Sequence, residues 1–206
     1  RPRSPVPISP LSRGLRDREF EYEPAPNEFR ILCLGDSFTW GQMVPANAAY
    51  PKVMERLLAE RPGARTYSVI NAGQLGWGTR DEARWLAREG MRYRPDVIVV
   101  GFFLNDAEED HYELDPLLPR KIEPVFVRSY LYFFLKYRVH LLKARLGLVD
   151  SYEDYLEKLY APDAKGCQAC QDALASIAER AGAMRARVLV AILPANQDWS
   201  RYPFEP

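Results

Sequence analysis

From Phe29 onward two kinds of apolar pattern alternate along the chain. "RILCLG", residues 30–35, is a short continuous run that predicts a buried strand. "YPKVMERLLAE", residues 50–60, spaces Tyr50, Val53, Met54, Leu57 and Leu58 by threes and fours, the pattern of an amphipathic helix. "TYSVINAG" from Thr66 predicts a second strand. "TRDEARWLAREGMRY" from Thr79 predicts a second helix, with Thr79 and Glu82 at the spacing of a capping box. "DVIVVGFF" from Asp96 is a β-branched run suited to a strand covered on both faces. "DALASIAERAGAM" from Asp172 gathers Leu174, Ile177, Ala178 and Ala181 on one helical side, and "RVLVAILPA" from Arg187 predicts a fourth strand.

Strands that alternate with helices predict an α/β fold, a three-layer sandwich around a central parallel sheet. Ligands of such sheets bind outside the carboxyl ends of the strands. All four predicted strands end on residues with chemistry to offer: Gly35-Asp36-Ser37, then Asn71 to Gly76, then Asn105-Asp106, then Pro194-Ala195-Asn196.

Two stretches fall outside this alternation. Residues 1–27 carry six prolines, which disfavours regular structure and predicts an arm lying across the surface of a domain spanning 28–206. Residues from about 107 to 165 form an expected helical insertion. Its middle, "VFVRSYLYFFLKYRVHLLKARLG" from Val125, is aromatic and basic. As a helix it is apolar around much of its circumference. That suits packing against the main body, or a lid, or a surface for a protein partner or membrane over residues 125–146.

Composition narrows the partners. Twenty-eight basic residues balance 28 acidic ones, so no basic field attracts phosphates and nucleic acid is not expected as a partner. No apolar run spans a bilayer. The sequence starts at Arg1 rather than Met, which fits a processed or trimmed chain and leaves an upstream signal or anchor open; placement outside the cytoplasm, or at a membrane, is the expectation. Cys33 lies in the first predicted strand as a small apolar residue. Cys167 and Cys170 stand one helical turn apart, and no second Cys or His pair completes a zinc site. The pair is expected to be free or locally disulfide-bonded, and no metal or cofactor is expected.

A serine hydroxyl becomes a nucleophile only when a base takes its proton and donors stabilise the oxyanion that forms. Ser37 sits at the mouth of the first predicted strand, after a glycine that permits a tight turn and an aspartate that can tie the loop down. Gly-Asp-Ser is also ordinary turn chemistry. The order of the blocks adds specificity: "GDSFTWG" after the first strand, "NAGQLG" after the second and "GFFLND" after the third.

With these three blocks, residues 29–106 resemble the SGNH, or GDSL-like, hydrolases. The resemblance implies a flavodoxin-like sandwich with Ser37 as nucleophile. It also implies an oxyanion hole formed by the backbone N–H groups of Ser37 and Gly76 with the Asn105 side-chain amide. A bacterial-type serine esterase acting on O-acyl esters of carbohydrates or lipids would follow. A non-catalytic binding subunit of a larger assembly and an O-acyltransferase are the alternatives.

The resemblance also implies a C-terminal Asp-x-x-His that would supply the base and its orienting carboxylate. Neither His111, three residues after Glu108, nor His140 stands in one. The sheet of this fold has five strands and four are predicted. The expectation is therefore a fragment that lacks its last part, with the inactive homologue and an unrelated base as alternatives. A fourth strand as apolar as "RVLVAIL" would otherwise be an open edge.

Overall fold

The computed structural model describes residues 14–63, 65–108, 130–150 and 152–194. His111, Asn196 and the start of the aromatic segment, residues 125–129, lie outside them. The chain divides into two compact units, Arg1–Ala107 with Ala169–Pro206, and Glu108–Gln168.

The first unit is built on four parallel strands, β1 (Glu28–Gly35), β2 (Thr66–Asn71), β3 (Val97–Phe102) and β4 (Arg187–Ile192), in the order β2-β1-β3-β4. This is the order of the first four strands of a flavodoxin-like sheet. Between the strands run a single turn of helix, α1 (Ser37–Trp40), then α2 (Tyr50–Ala59) and α3 (Thr79–Arg88). Pro51 stands in the first turn of α2, where its missing N–H costs nothing.

Alternation along the strands separates two cores. On one face Leu32, Leu34, Ile70, Ala72, Ile98 and Val100 pack with Ala83 and Leu86 of α3. Ala173, Ile177 and Ala181 join them from a long helix, Lys165–Ala183, that enters this unit at Ala169. On the other face Ile31, Cys33, Val69 and Val99 meet Tyr50, Met54 and Leu58 of α2. The sandwich therefore has three layers, and every predicted strand and helix of this unit is present. Leu57, expected on the inner side of α2, is instead 54% exposed. It is rotated around the helix from the Tyr50–Met54–Leu58 line that packs on the sheet.

Two further expectations are corrected. Thr79 and Glu82 do not form a capping box: the N-cap of α3 is Gly78, so Thr79 already lies inside the helix and the box register is off by one. The stretch 14–27 does more than lie across the surface. It has no helix or strand, yet Leu15 and Phe20 are buried in the main core. The buried Arg30 guanidinium donates to the carbonyls of Glu21, Tyr22 and Tyr93, fixing the segment's end to the sheet.

In the second unit lie α4 (Tyr130–Arg145), α5 (Tyr152–Leu159) and the first residues of the 165–183 helix, here α6. Along α4, Leu131, Phe134 and Leu142 are exposed while His140 is buried. Among the described residues no helix is long and apolar enough to cross a membrane.

Candidate active site

The turn after β1 is set by Asp36. It is the N-cap of α1, and its Oδ1 accepts the Phe38 N–H at 2.8 Å. A side chain that satisfies its own local backbone in this way competes well against a longer strand, so β1 stops and Ser37 opens the next turn. Gly41 ends α1 in the left-handed conformation, and the Ser37 carbonyl accepts from the N–H groups of Gly41 and Gln42.

Ser37 is half-buried and lines a recess of about 410 Å³. The rest of the lining is mostly apolar: Phe38, Met43 and Val44 from the turn, Ala49 and Tyr50 from the start of α2, and Leu193 from the end of β4.

The other two candidates stand on the adjoining loops at the same, carboxyl end of the sheet. Gly76 lies in the loop between β2 and α3, exposed, with φ 73°, a conformation that an L side chain rarely adopts. Asn105 follows β3 by three residues; its Oδ1 is buried and has no hydrogen-bond partner among the described residues.

The three loops are tied to one another. Gln74 N–H donates to the Gly35 carbonyl at 3.0 Å, and Thr79 N–H donates to the Asp106 carbonyl at 3.3 Å. Gly73 lies so close to the turn that a Cβ there would stand 2.3 Å from the Trp40 nitrogen. The Phe38 and Phe103 rings stack with centroids 4.5 Å apart.

Behind these loops lies a set of buried polar groups that the sequence did not single out as such. Asp36, Glu82 and Asp106 are 1%, 0% and 2% exposed. Among the described residues neither Glu82 oxygen has a hydrogen-bond partner, and the Asn71 amide nitrogen and Asp36 Oδ2 also lack one. Burial, then the charges of Asp106, Asp36 and Asp81, hold the Glu82 carboxyl well above its ordinary range. Burial also raises Asp36, against the pull of the Phe38 N–H. A carboxyl on the inner side of α3 is invisible to charge patterning, which counts Glu82 as part of the polar face. The only sequence signal was its position three residues after Thr79.

The cysteines contribute no site. Cys33 is fully buried, with its thiol pushed up to about 12 by burial, and Cys167 and Cys170 are buried and not joined in a disulfide. Among the described residues no three His, Cys, Asp or Glu side chains are grouped to hold a metal ion.

The sequence profile of the GDSL-like lipase/acylhydrolase family matches residues 33–205, most of the chain. The chain belongs to that family. Its match starts inside β1, two residues before the Gly35-Asp36-Ser37 turn, and runs through the second and third strand-end loops and past β4. Two solved structures resemble this GDSL-like chain. One is TesA, at 14% identity over 77% of this chain and 76% of that one, with a TM-score of 0.37. The other is a protein assigned to the G-D-S-L lipolytic family from Desulfitobacterium hafniense DCB-2, at 12% identity over 78% and 76%, with a TM-score of 0.31. No curated protein sequence matches the chain.

Proposed function

We propose that this protein is a serine ester hydrolase with Ser37 as its nucleophile. The observation that carries this is the place of Ser37: at the carboxyl end of an internal strand, opening onto an apolar recess wide enough for an acyl group. The hydroxyl attacks the ester carbonyl, the alcohol leaves with a proton, and water then cleaves the acyl-serine. The N–H groups of Ser37 and Gly76 and the Asn105 amide hold the oxyanion. An asparagine amide suits this role because it donates without adding charge. The Asn105 Oδ1 is turned to the buried side, which fits an amide nitrogen facing the opposite way. The apolar lining favours lipid or other apolar acyl esters over strongly polar acyl groups.

The test is hydrolysis of a short-chain aryl ester by the full-length protein. Ser37→Ala should abolish turnover, and Asn105→Ala should lower kcat roughly a hundredfold or more, the usual cost of one oxyanion donor. Unchanged turnover in Ser37→Ala would remove Ser37 from the reaction. His111→Asn and His140→Asn in the same assay show whether either histidine is the base.

A further inference from the structure

The segment before β1 reaches the recess. Leu15 and Phe20 anchor it in the core, 4% and 7% exposed, and between them Arg16 turns toward the loop that follows α1. Its Nη1 donates to the carbonyls of Trp40 at 2.8 Å and Gly41 at 2.5 Å, and its Nη2 donates to the Val44 carbonyl at 2.7 Å. The guanidinium carbon lies 5.6 Å from the centre of the Trp40 ring. On either side the same segment holds the end of β2 and the loop after it: Asp17 accepts the Asn71 N–H at 2.9 Å, and the Gly14 carbonyl accepts from Gln74 Nε2 at 2.7 Å.

Two of the three carbonyls taken by Arg16 belong to Gly41 and Val44, which line the recess. Between them stands Met43, 95% exposed and with φ 68°. A residue with a side chain enters that left-handed region at a cost, and stays there only when its surroundings hold it. Among the described residues, the hydrogen bonds that reach this wall from far along the chain come from Arg16. The planar fork of a guanidinium serves several carbonyls at once, which a lysine ammonium on one stem cannot reproduce.

We propose that Arg16 is a positioning residue: it fixes the shape of the 40–44 wall, and the N-terminal segment thereby sets which acyl groups the Ser37 recess admits. The consequence for acyl selectivity rests on the ester-hydrolase reading; the latch itself does not.

Two measurements on the full-length chain separate these. Hydrogen exchange of a peptide spanning residues 38–48 reads the latch without catalysis, through the amides of Gly41, Gln42 and Val44 that bond within the turn. In Arg16→Met, and to a smaller degree in Arg16→Lys, exchange there should rise about tenfold, the scale expected for loss of hydrogen bonds from a charged donor. Peptides from β1 and β3 should stay unchanged. The second measurement is the ratio of kcat/KM for octanoate over acetate aryl esters, which should move about tenfold in Arg16→Met. In Arg16→Ala, added ethylguanidinium should restore it. A residue needed only for stability would depress both esters alike and would not be rescued. Unchanged exchange in Arg16→Met overturns the latch. Faster exchange with an unchanged ester ratio overturns its role in selectivity. If the parent protein hydrolyses neither ester, the hydrolase reading fails and the exchange result still decides the latch.

Discussion

The Phe38 and Phe103 rings meet with centroids 4.5 Å apart and planes inclined by 36°, so the residue next to Ser37 packs on the residue two before Asn105. This contact links the serine turn to the asparagine loop through side chains. An aromatic pair of this kind contributes about 0.5–1.5 kcal/mol beyond its buried area. A double-mutant cycle with Phe38→Leu and Phe103→Leu, followed by urea denaturation, should return a coupling energy of about 1 kcal/mol. Zero coupling would mean that the rings are neighbours without mutual stabilisation. In the ester assay, Phe103→Leu should lower kcat/KM several-fold without abolishing turnover.

Much of this arrangement was legible before any coordinates. Strand and helix patterns written in local apolar spacing, such as Ile31 to Leu34 or Tyr50, Met54 and Leu58, survive folding because the faces they create are the ones that become buried. Ser37, Gly76 and Asn105 could be named from three blocks that resemble the GDSL-like family; each block follows a strand, and a parallel sheet brings all its carboxyl ends to one side. Long-range polar partners were not legible. Nothing local to Arg16 says that its guanidinium meets carbonyls 24 to 28 residues away. Nothing local to Glu82 says that α3 turns it inward, since an acidic residue in a first helical turn is ordinary surface chemistry. The capping-box expectation failed for a related reason: Thr79 and Glu82 have the right spacing, but helix α3 begins one residue too early for Thr79 to serve as its cap.

Buried Glu82 should make stability depend on pH in the alkaline direction. Its folded value is raised from the ordinary 4.5, first by burial and then by Asp106, Asp36 and Asp81. Between those two values the folded protein keeps a proton that the unfolded chain has released. Stability is therefore fully present below 4.5 and is lost as pH rises through the folded value. Glu82→Gln keeps the shape and removes the proton. Its Tm should equal that of the parent near pH 4 and exceed it increasingly toward pH 8, by about 2–4 °C for each 1 kcal/mol. A variant less stable than the parent at pH 8 would show that the Glu82 carboxylate is stabilised in the folded state by a cation or donor.

Glu55 should act in the opposite direction, at acid pH. Burial alone would raise its carboxyl, but the Arg18 guanidinium, the Val69 N–H and Lys52 more than offset this and hold it at about 2. Arg18 pairs with it through two 2.8 Å bonds, and Val69 N–H donates to it at 2.9 Å. The folded value lies below the ordinary 4.5, so the contribution is present above 4.5 and lost as pH falls toward about 2. Glu55→Gln can still accept from Val69 but forfeits the charge on both cations. Urea midpoints should place the variant below the parent at pH 7 by about 1 kcal/mol, a modest sum because Arg18 is half-exposed and water screens the pair. The gap between the two midpoints should shrink steadily as pH falls from 4.5 toward about 2, and 0.5 M salt should narrow it at pH 7. A gap that stays constant from pH 7 to pH 2.5 would assign the loss to packing of the Glu55 stem against β2 instead of its charge.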